Sequence, residues 1–548
     1  MKIIIVGGVA GGATTAARLR RLNEKAEIIL IERGNHISFA NCGLPYYIGD
    51  VIKEKKELLL QTPKSFKNRF NIDVRIKNEV VKIDRDKKQV LVRKVDSGEE
   101  YIETYDTLVL SPGAEPINPF KLLKSEKIAT LRNVNDSVKI KEYIQKNNPK
   151  NIVIIGGWYI GVEVAENIKH YGSINVTIVE KAPHVIASID KDIASFVQNR
   201  LRENNINLIL SNGVRQIKEE NNIFNILLDD GKIKADYIIL SIGVIPETSI
   251  AKEAGITLNS RGSIIVDEHM RTNDKDIYAL GDAVEIKNYI TNMPDYMPLA
   301  GPANRQARIV ANNICGLDSK YNGTMGSSIL KLFDYTLATT GVSEEKCKML
   351  DINYKKIIIT PFCHATYYPG ASEMIVKVIY CEKEKILLGA QVIGKEGVDK
   401  VSDILATAIR SKLNIYDLED LELCYAPPFS SAKSVVNIVG NVIENEINGL
   451  VKNIFWEDVE NTDTPYVLDA RTKGEYESGH FSEAINIPVD ELRENMDKLD
   501  KNKEILVYCK TGVRSYIACR ILIQNGFKVK NIMGGYNLYK EIEKDRLK

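Results

Sequence analysis

The chain carries no excess of one charge: 74 Lys+Arg stand against 73 Asp+Glu, a formal net charge of +1 over 548 residues. That balance gives no electrostatic footprint for a nucleic-acid or polyanion binder. No apolar run approaches the ~18 residues of a bilayer-spanning helix, so no membrane association is expected. None of the eight cysteines (Cys42, Cys315, Cys347, Cys363, Cys381, Cys424, Cys509, Cys519) has a C-x-x-C or C-x4-C neighbour. This excludes a closely spaced redox dithiol and a metal knuckle, and no metal is expected. Sparse, unpaired thiols fit a reducing cytoplasm, and most read as small buried hydrophobes. Met1 to Ala17 is apolar, but Gly7, Gly8, Gly11 and Gly12 break the run. It reads as a strand and a turn rather than a secretion signal.

What is present is ordinary globular composition, 44% hydrophobic and 27% charged, in a length that suggests about three to five domains. One pattern occurs twice. An apolar strand, Lys2 to Val6, leads into Gly7-Gly-Val-Ala-Gly-Gly12, a helical stretch from Ala13 to Leu22 and a strand ending at Glu32. Another, Asn151 to Ile155, leads into Gly156-Gly-Trp-Tyr-Ile-Gly161, a helix from Val162 to Tyr171 and a strand ending at Glu180. The acid follows the first glycine by 25 residues in one copy and 24 in the other. Each is a βαβ unit whose glycine turn lets a pyrophosphate approach helix N-terminal amides, with a carboxylate where a ribose would lie. The middle glycine is replaced by Val9 in one copy and Trp158 in the other. An indole there starts where the pyrophosphate should pass.

Two further segments repeat, Thr107 to Pro116 and Tyr237 to Pro246, each a strand ending in a Ser-x-Gly turn. Thr272 to Asp282 is a strand that delivers Asp282 to a glycine turn, where a carboxylate can accept a ribityl hydroxyl. Together these resemble the FAD/NAD(P)-linked disulfide oxidoreductase family over about residues 1–445. The resemblance implies an α/β architecture: two Rossmann-like dinucleotide-binding domains and an α+β dimerisation domain. The implied boundaries are 1–115 and 246–324 for the FAD domain, 116–245 for the NAD(P) domain and 325–445 for dimerisation; 446–456 reads as a linker to a further α/β domain at 457–548, whose motifs are given below. The resemblance also implies a homodimer, FAD and a nicotinamide cofactor. The cofactor contacts carried over are Gly7, Gly8, Gly12, Glu32, Arg33, Ser111, Pro112, Gly113, Gly281, Asp282, Ala300 and Ala338, and, in the second copy, Gly156, Gly157, Gly161, Glu180 and Gly243.

Cys42 lies in Ser38-Phe-Ala-Asn-Cys-Gly-Leu-Pro-Tyr46, where Gly43 and Pro45 suggest a turn into a helix. A cysteine near a helix N-terminus is expected to favour its thiolate. With no partner thiol nearby, it must cycle through a mixed disulfide, a persulfide or a sulfenic acid. The segment resembles the single-cysteine branch, in particular the coenzyme A disulfide reductases. By that resemblance Cys42 is the redox nucleophile, with Ser38 and Asn41 at the pantetheine end. Thr14, Arg18 and Arg21 share a helix face and match contacts to the coenzyme's polar end, as do Asn304 and Lys433. Tyr368 and Tyr425 match tyrosines that reach from the partner subunit, where a phenol can hydrogen-bond or protonate the leaving sulfur. The segment around Phe70 lacks a lysine that some members carry.

Near the C-terminus, Ile505 to Tyr508 is a buried strand that ends at Cys509, and a helix from Ser515 to Gln524 follows. The amides between Lys510 and Arg514 can curl around one anion, with Arg514 adding charge. With Leu468-Asp-Ala-Arg471 and Gly479-His-Phe-Ser-Glu-Ala-Ile-Asn-Ile-Pro488, this resembles an active rhodanese, with Cys509 the sulfane-sulfur carrier. The reading is therefore an NAD(P)H- and FAD-dependent reductase of coenzyme A disulfide or persulfide, working on small thiols, disulfides and persulfides. Glu180 favours NADH over NADPH. The alternatives are an NADH oxidase or peroxidase using a Cys42 sulfenic acid, and a redox-sensing flavoprotein crippled at Trp158.

Overall fold

The computed structural model spans Met1–Lys548 and describes every residue except 121, 122 and 124. The chain divides into two compact units, 1–183 with 205–326, and 184–204 with 327–548.

The first unit contains the two predicted repeats as two five-stranded parallel sheets. One runs Ile277–Ala279, Thr107–Leu110, Lys2–Val6, Glu27–Glu32, Asp73–Ile76. The other runs Ile206–Ile209, Asn175–Val179, Asn151–Ile155, Tyr237–Leu240, Ile128–Thr130. In each, the central strand is the one that enters the glycine turn. Ile3, Ile4 and Ile5 are fully buried, as parallel strands covered on both faces require. Antiparallel meanders of three strands, within 78–104 and within 214–235, accompany the sheets. Ala114–Pro116 pairs antiparallel with Val244–Pro246, so the two Ser-x-Gly turns lead into one ribbon.

The glycines explain themselves sterically, and the two copies match. Gly7 has φ +95° and a Cβ there would lie 2.0 Å from the Ser111 carbonyl oxygen; Gly156 has φ +105° and its Cβ would lie 2.2 Å from that of Ser241. A Cβ on Gly12 would meet Gly7 O at 1.8 Å, and one on Gly161 would meet Gly156 O at 2.1 Å. Strand, helix and Ser-x-Gly turn close on each other only without side chains. The middle position is under no such constraint. Trp158 has φ −82° and is 46% exposed.

The second unit holds a five-stranded antiparallel sheet ordered Ser328–Leu332, Tyr335–Gly341, Ile386–Gly394, Met374–Cys381, Lys355–Ile359. It also holds a parallel sheet ordered Asn453–Ile454, Lys528–Ile532, Glu504–Tyr508, Tyr466–Asp469, Ile485–Asn486. The stretch read as a linker is structured. Asn453–Ile454 forms the edge strand, and Trp456 is 2% exposed, packs on Phe481, Tyr508 and Tyr539, and donates from Nε1 to Gly535 O at 2.8 Å.

The helix Lys191–Glu203 belongs to this unit. Its start is held by a buried charge cluster: Lys377, 1% exposed, has Nζ 3.0 Å from Asp190, 2.9 Å from Asp192 and 2.8 Å from Glu344. Its far end meets the last helix, Gly535–Arg546, through Arg200–Glu541 and Gln198–Asp545, each at 2.7 Å.

Candidate functional site

Each glycine turn is completed by its acid in the same way. Glu32 accepts from the amides of Gly8 (2.7 Å) and Gly34 (2.6 Å); Glu180 accepts from those of Gly157 (2.7 Å) and Ala182 (2.8 Å). One amide on each oxygen leaves each carboxylate lone pairs for ribose hydroxyls, so the donor sets fit two dinucleotides. Asp282 is the middle residue of the 3-10 turn Gly281–Ala283, and its carboxylate has Arg132 at 3.5 Å as a distant partner. Burial holds this acid above its ordinary range despite the arginine. Arg33, carried over as a cofactor contact, pairs with Glu115 and Glu247. Ala338 is 2% exposed in mid-sheet, paired with Ile329 and Val392.

Cys42 sits in the one-turn 3-10 helix Asn41–Gly43, directly before the helix Leu44–Ile48. Ser38, four residues earlier, is itself left-handed, φ +43°, fixed by its amide donating to Gly8 O at 2.8 Å. The Cys42 helix butts against Tyr159–Ile168, the helix of the second glycine unit. A Cβ on Gly49 would lie 2.5 Å from Asn167 Oδ1, and Tyr171 Oη donates to Ile48 O at 2.7 Å. Glu163 of that helix faces the cysteine turn and accepts from Tyr46 Oη at 3.4 Å. Cys42 is exposed at its surface, yet the protein packed around its sulfur and the Glu163 and Asp282 carboxylates all push the thiol up, against the thiolate expectation. A helix of five residues offers too little dipole to reverse this. Burial also raises Glu163, to about 7, and Tyr46, to about 12.

On the neighbouring face, helices Ala10–Leu22 and Ala300–Ile314 pack together. Thr14 Oγ1 donates to Asn304 Oδ1 at 2.7 Å, and Arg18 donates from Nε and Nη2 to Asn312 Oδ1 at 3.2 and 3.1 Å. Arg21 and Asn41 are exposed. Arg20, between Arg18 and Arg21 in sequence, turns inward at 5% exposure to satisfy the carbonyls of Phe70 and Asn71.

In the second unit, Tyr368 and Tyr425 line one cavity of about 690 Å³. Tyr425 Oη lies 2.9 Å from Tyr367 Oη, and Tyr368 stacks edge-on against His364. Lys433 is exposed. Cys509 is 1% exposed at the end of its strand, and its Sγ accepts from the Gly512 amide at 3.1 Å. Gly512, at φ +122°, opens the helix Val513–Gln524. Arg514 stays within electrostatic reach of Cys509. It forms a fork with Glu475 at 2.6 and 2.8 Å, and that contact holds the Glu475 carboxyl down at about 2. Lys510 donates to Glu373 at 2.8 Å, which fastens the cysteine loop to the antiparallel sheet's segment of the same unit. Cys519 is fully buried in the helix, as a core residue.

A profile of the pyridine nucleotide-disulphide oxidoreductases matches residues 1–307, and that of their dimerisation domain matches 327–435. The chain belongs to the pyridine nucleotide-disulphide oxidoreductase family. A rhodanese-like domain follows at 452–542. A coenzyme A disulfide reductase of Staphylococcus epidermidis is 35% identical over 442 residues, 80% of this chain and 99% of that protein. Among solved structures, reduced Bacillus anthracis CoADR-RHD matches with a TM-score of 0.96 and 45% identity, covering 100% of this chain and 98% of that one. An NAD-dependent persulfide reductase from A. fulgidus matches with a TM-score of 0.93 and 34% identity, covering 98% and 100%.

Within this family frame, the residues that the sequence reading missed are Glu163, Tyr46, Tyr367, Glu475 and Glu373. Glu163 alone left a trace: with Glu166 it is one of two acids in a largely apolar helix, Tyr159–Ile168. The others acquire their roles from partners far away in sequence. Among the described residues, no helix is long and apolar enough to cross a membrane, and no group of three or more His, Cys, Asp or Glu could hold a metal ion.

Proposed function

We propose that this protein uses NADH to reduce coenzyme A disulfide, coenzyme A persulfide or both, through Cys42 and a bound FAD, and that its rhodanese domain carries sulfane sulfur on Cys509. The observation that carries the reading is an unpaired cysteine, Cys42, placed in one body with two matching dinucleotide cradles, its turn pressed against the helix of the second. FAD, when bound at the Gly7–Gly12 turn, supplies two-electron transfer from nicotinamide to sulfur.

The chain's own residues do the rest. Glu32 and Glu180 accept ribose hydroxyls, and a carboxylate at Glu180 repels a 2′-phosphate, which selects NADH. The Cys42 thiolate attacks one sulfur of the disulfide and holds it as a mixed disulfide while the first thiol leaves. Glu163 takes a proton at neutral pH, so its charge opposes the Cys42 thiolate less below about 7. Thr14, Arg18 and Asn304 line the path of the coenzyme's polar end, with Ser38 and Asn41 at its pantetheine. The protein works as a cytoplasmic homodimer, in which Tyr368 and Tyr425 of one chain give the departing sulfur of the other its proton.

A panel of oxidants given to the purified flavoprotein, with NADH oxidation followed, tests this. Coenzyme A disulfide or persulfide should be turned over faster than dioxygen or hydrogen peroxide, and kcat/KM should be higher with NADH than with NADPH. Preference for dioxygen or peroxide would make it an oxidase or peroxidase. No turnover with any oxidant would leave a sensor.

A further inference from the structure

Three cations lie around the end of the Cys509 strand, and each is matched by its own carboxylate. Arg514 forks onto Glu475 at 2.6 and 2.8 Å, Lys510 meets Glu373 at 2.8 Å, and the buried Arg471 meets the fully buried Asp469 at 2.6 Å. Exposed ion pairs are commonly loose, but these acids are held by further donors. Glu475 Oε2 also accepts from the Thr472 amide and hydroxyl, each at 3.0 Å. Glu373 Oε2 accepts from Asn537 Nδ2 at 2.6 Å, and Asp469 Oδ2 accepts from Tyr508 Oη at 2.6 Å.

The loop therefore presents little surplus positive charge. Arg514 is close enough to interact with Cys509, so its fork with Glu475 sets how much positive charge the sulfur meets. The donor that reaches Cys509 Sγ is uncharged, the Gly512 amide at 3.1 Å. Beside that amide the surface is apolar. Val513 follows Gly512 directly and is exposed; Ile517, also exposed, lies one turn further on the same face of the helix Val513–Gln524.

We propose that Glu475 and Glu373 set the donor specificity of the rhodanese site: by taking up its loop cations they turn it away from the thiosulfate dianion and toward a persulfide on an uncharged organic arm, which lies along Val513 and Ile517. The proposal rests on the reading of Cys509 as a sulfur carrier and adds the donor. The Cys509 thiolate attacks the outer sulfur of R–S–SH, the donor's S–S bond breaks, Cys509–S–SH forms with the donor's proton, and RS⁻ leaves. Sulfane sulfur passes from one thiolate to another, so no oxidant or reductant is needed. With thiosulfate the same attack brings a thiolate onto a dianion and expels sulfite with two charges, which call for an unpaired cation. Thiosulfate is then a slow donor and an organic persulfide a fast one.

The test uses full-length holoenzyme carrying Cys42→Ser, mixed with thiosulfate, pantetheine persulfide or coenzyme A persulfide and quenched with an alkylating agent. Mass spectrometry of the Cys509 peptide reads the rate at which one sulfur atom is added. Both persulfides should load Cys509 at least about tenfold faster than thiosulfate. Adding Glu475→Gln, which removes the charge facing Arg514, should raise the thiosulfate rate relative to the pantetheine persulfide rate about tenfold, the scale of one charge-assisted hydrogen bond. Glu373→Gln should shift the ratio the same way but less, because Lys510 is exposed. Glu475→Asp, which keeps the charge, should keep the parent's ratio, whereas a purely structural role would slow every donor alike. Ile517→Ser should lower the pantetheine persulfide rate relative to the thiosulfate rate about fivefold, the scale of partly burying one such side chain. Thiosulfate loading as fast as the persulfides, or an unchanged ratio in Glu475→Gln, would overturn the proposal and leave Cys509 a sulfur carrier. Loading by coenzyme A persulfide without loading by pantetheine persulfide would overturn the uncharged arm. No sulfur on Cys509 from any donor would bring down the underlying reading of Cys509, and the proposal with it.

Discussion

Lys377→Met removes a cation that touches three acids. Its Nζ lies 3.0, 2.9 and 2.8 Å from Asp190, Asp192 and Glu344, at 1% exposure. At an effective dielectric near 20, each contact is worth ~5 kcal/mol of gross Coulomb energy, most of it offset by desolvation. Removing one partner of a buried pair costs ~3–5 kcal/mol net. The lower end applies here, because other donors remain. Glu344 keeps Lys356 at 2.8 Å and Lys348 at 2.9 Å, and Asp190 keeps Gln391 at 2.7 Å. For the second unit of about 240 residues, ~3 kcal/mol lowers the melting temperature by ~6–12 °C. Calorimetry at pH 7 and pH 3.5 separates this from simple loss of packing. In the parent, burial opposes the charges, but Lys377 and Lys356 hold Glu344 well below its usual 4.5. Its stabilising contribution is therefore present above 4.5 and lost as pH falls through the lower folded value. Without Lys377 that contribution is smaller, so the deficit should hold from neutral pH down to about 4.5 and shrink below it. A loss under ~2 °C at pH 7, or an equal loss at both pH values, would refute the charge argument.

Further outcomes follow from the site. Glu163→Gln removes a carboxylate that titrates near 7 beside Cys42, so the midpoint of Cys42 alkylation should move down by about one unit; an unmoved midpoint would show that burial alone sets the thiol. Trp158→Gly should lower KM for NADH if the exposed indole obstructs the pyrophosphate, whereas an unchanged or higher KM would mean that the ring already swings clear. Cys509→Ala should spare coenzyme A disulfide reduction and slow NADH-driven sulfide release from thiosulfate in the presence of coenzyme A. Unchanged release would disconnect the rhodanese from the reductase.

Much of this was legible because it is local. A glycine with φ near +100°, pressed on a serine carbonyl, leaves a sequence mark, and it left the same mark twice, at Gly7 and Gly156. Cys42 and Cys509 stand out for the same reason, in turns written by their immediate neighbours. What escaped depends on distant pairing. Glu163 meets Tyr46 across 117 positions, and Lys510 meets Glu373 across 137. Lys377 reads as an ordinary strand lysine until Asp190 and Asp192 arrive from another part of the chain. Trp456 reads as part of a connector because the rings that bury it, Phe481, Tyr508 and Tyr539, follow much later. At Cys42 the following helix is visible in sequence, whereas the Glu163 and Asp282 carboxylates that converge on its thiol are not.

The central claim is that Cys42 is the sulfur nucleophile of an NADH-dependent reductase. Its most direct test is steady-state NADH oxidation with coenzyme A disulfide by Cys42→Ser, beside the parent and with flavin content measured for both. The account predicts full flavin content and loss of at least about a thousandfold in kcat, the scale of removing a covalent nucleophile. A flavin-loaded variant that reduces coenzyme A disulfide at a rate near the parent's would contradict it.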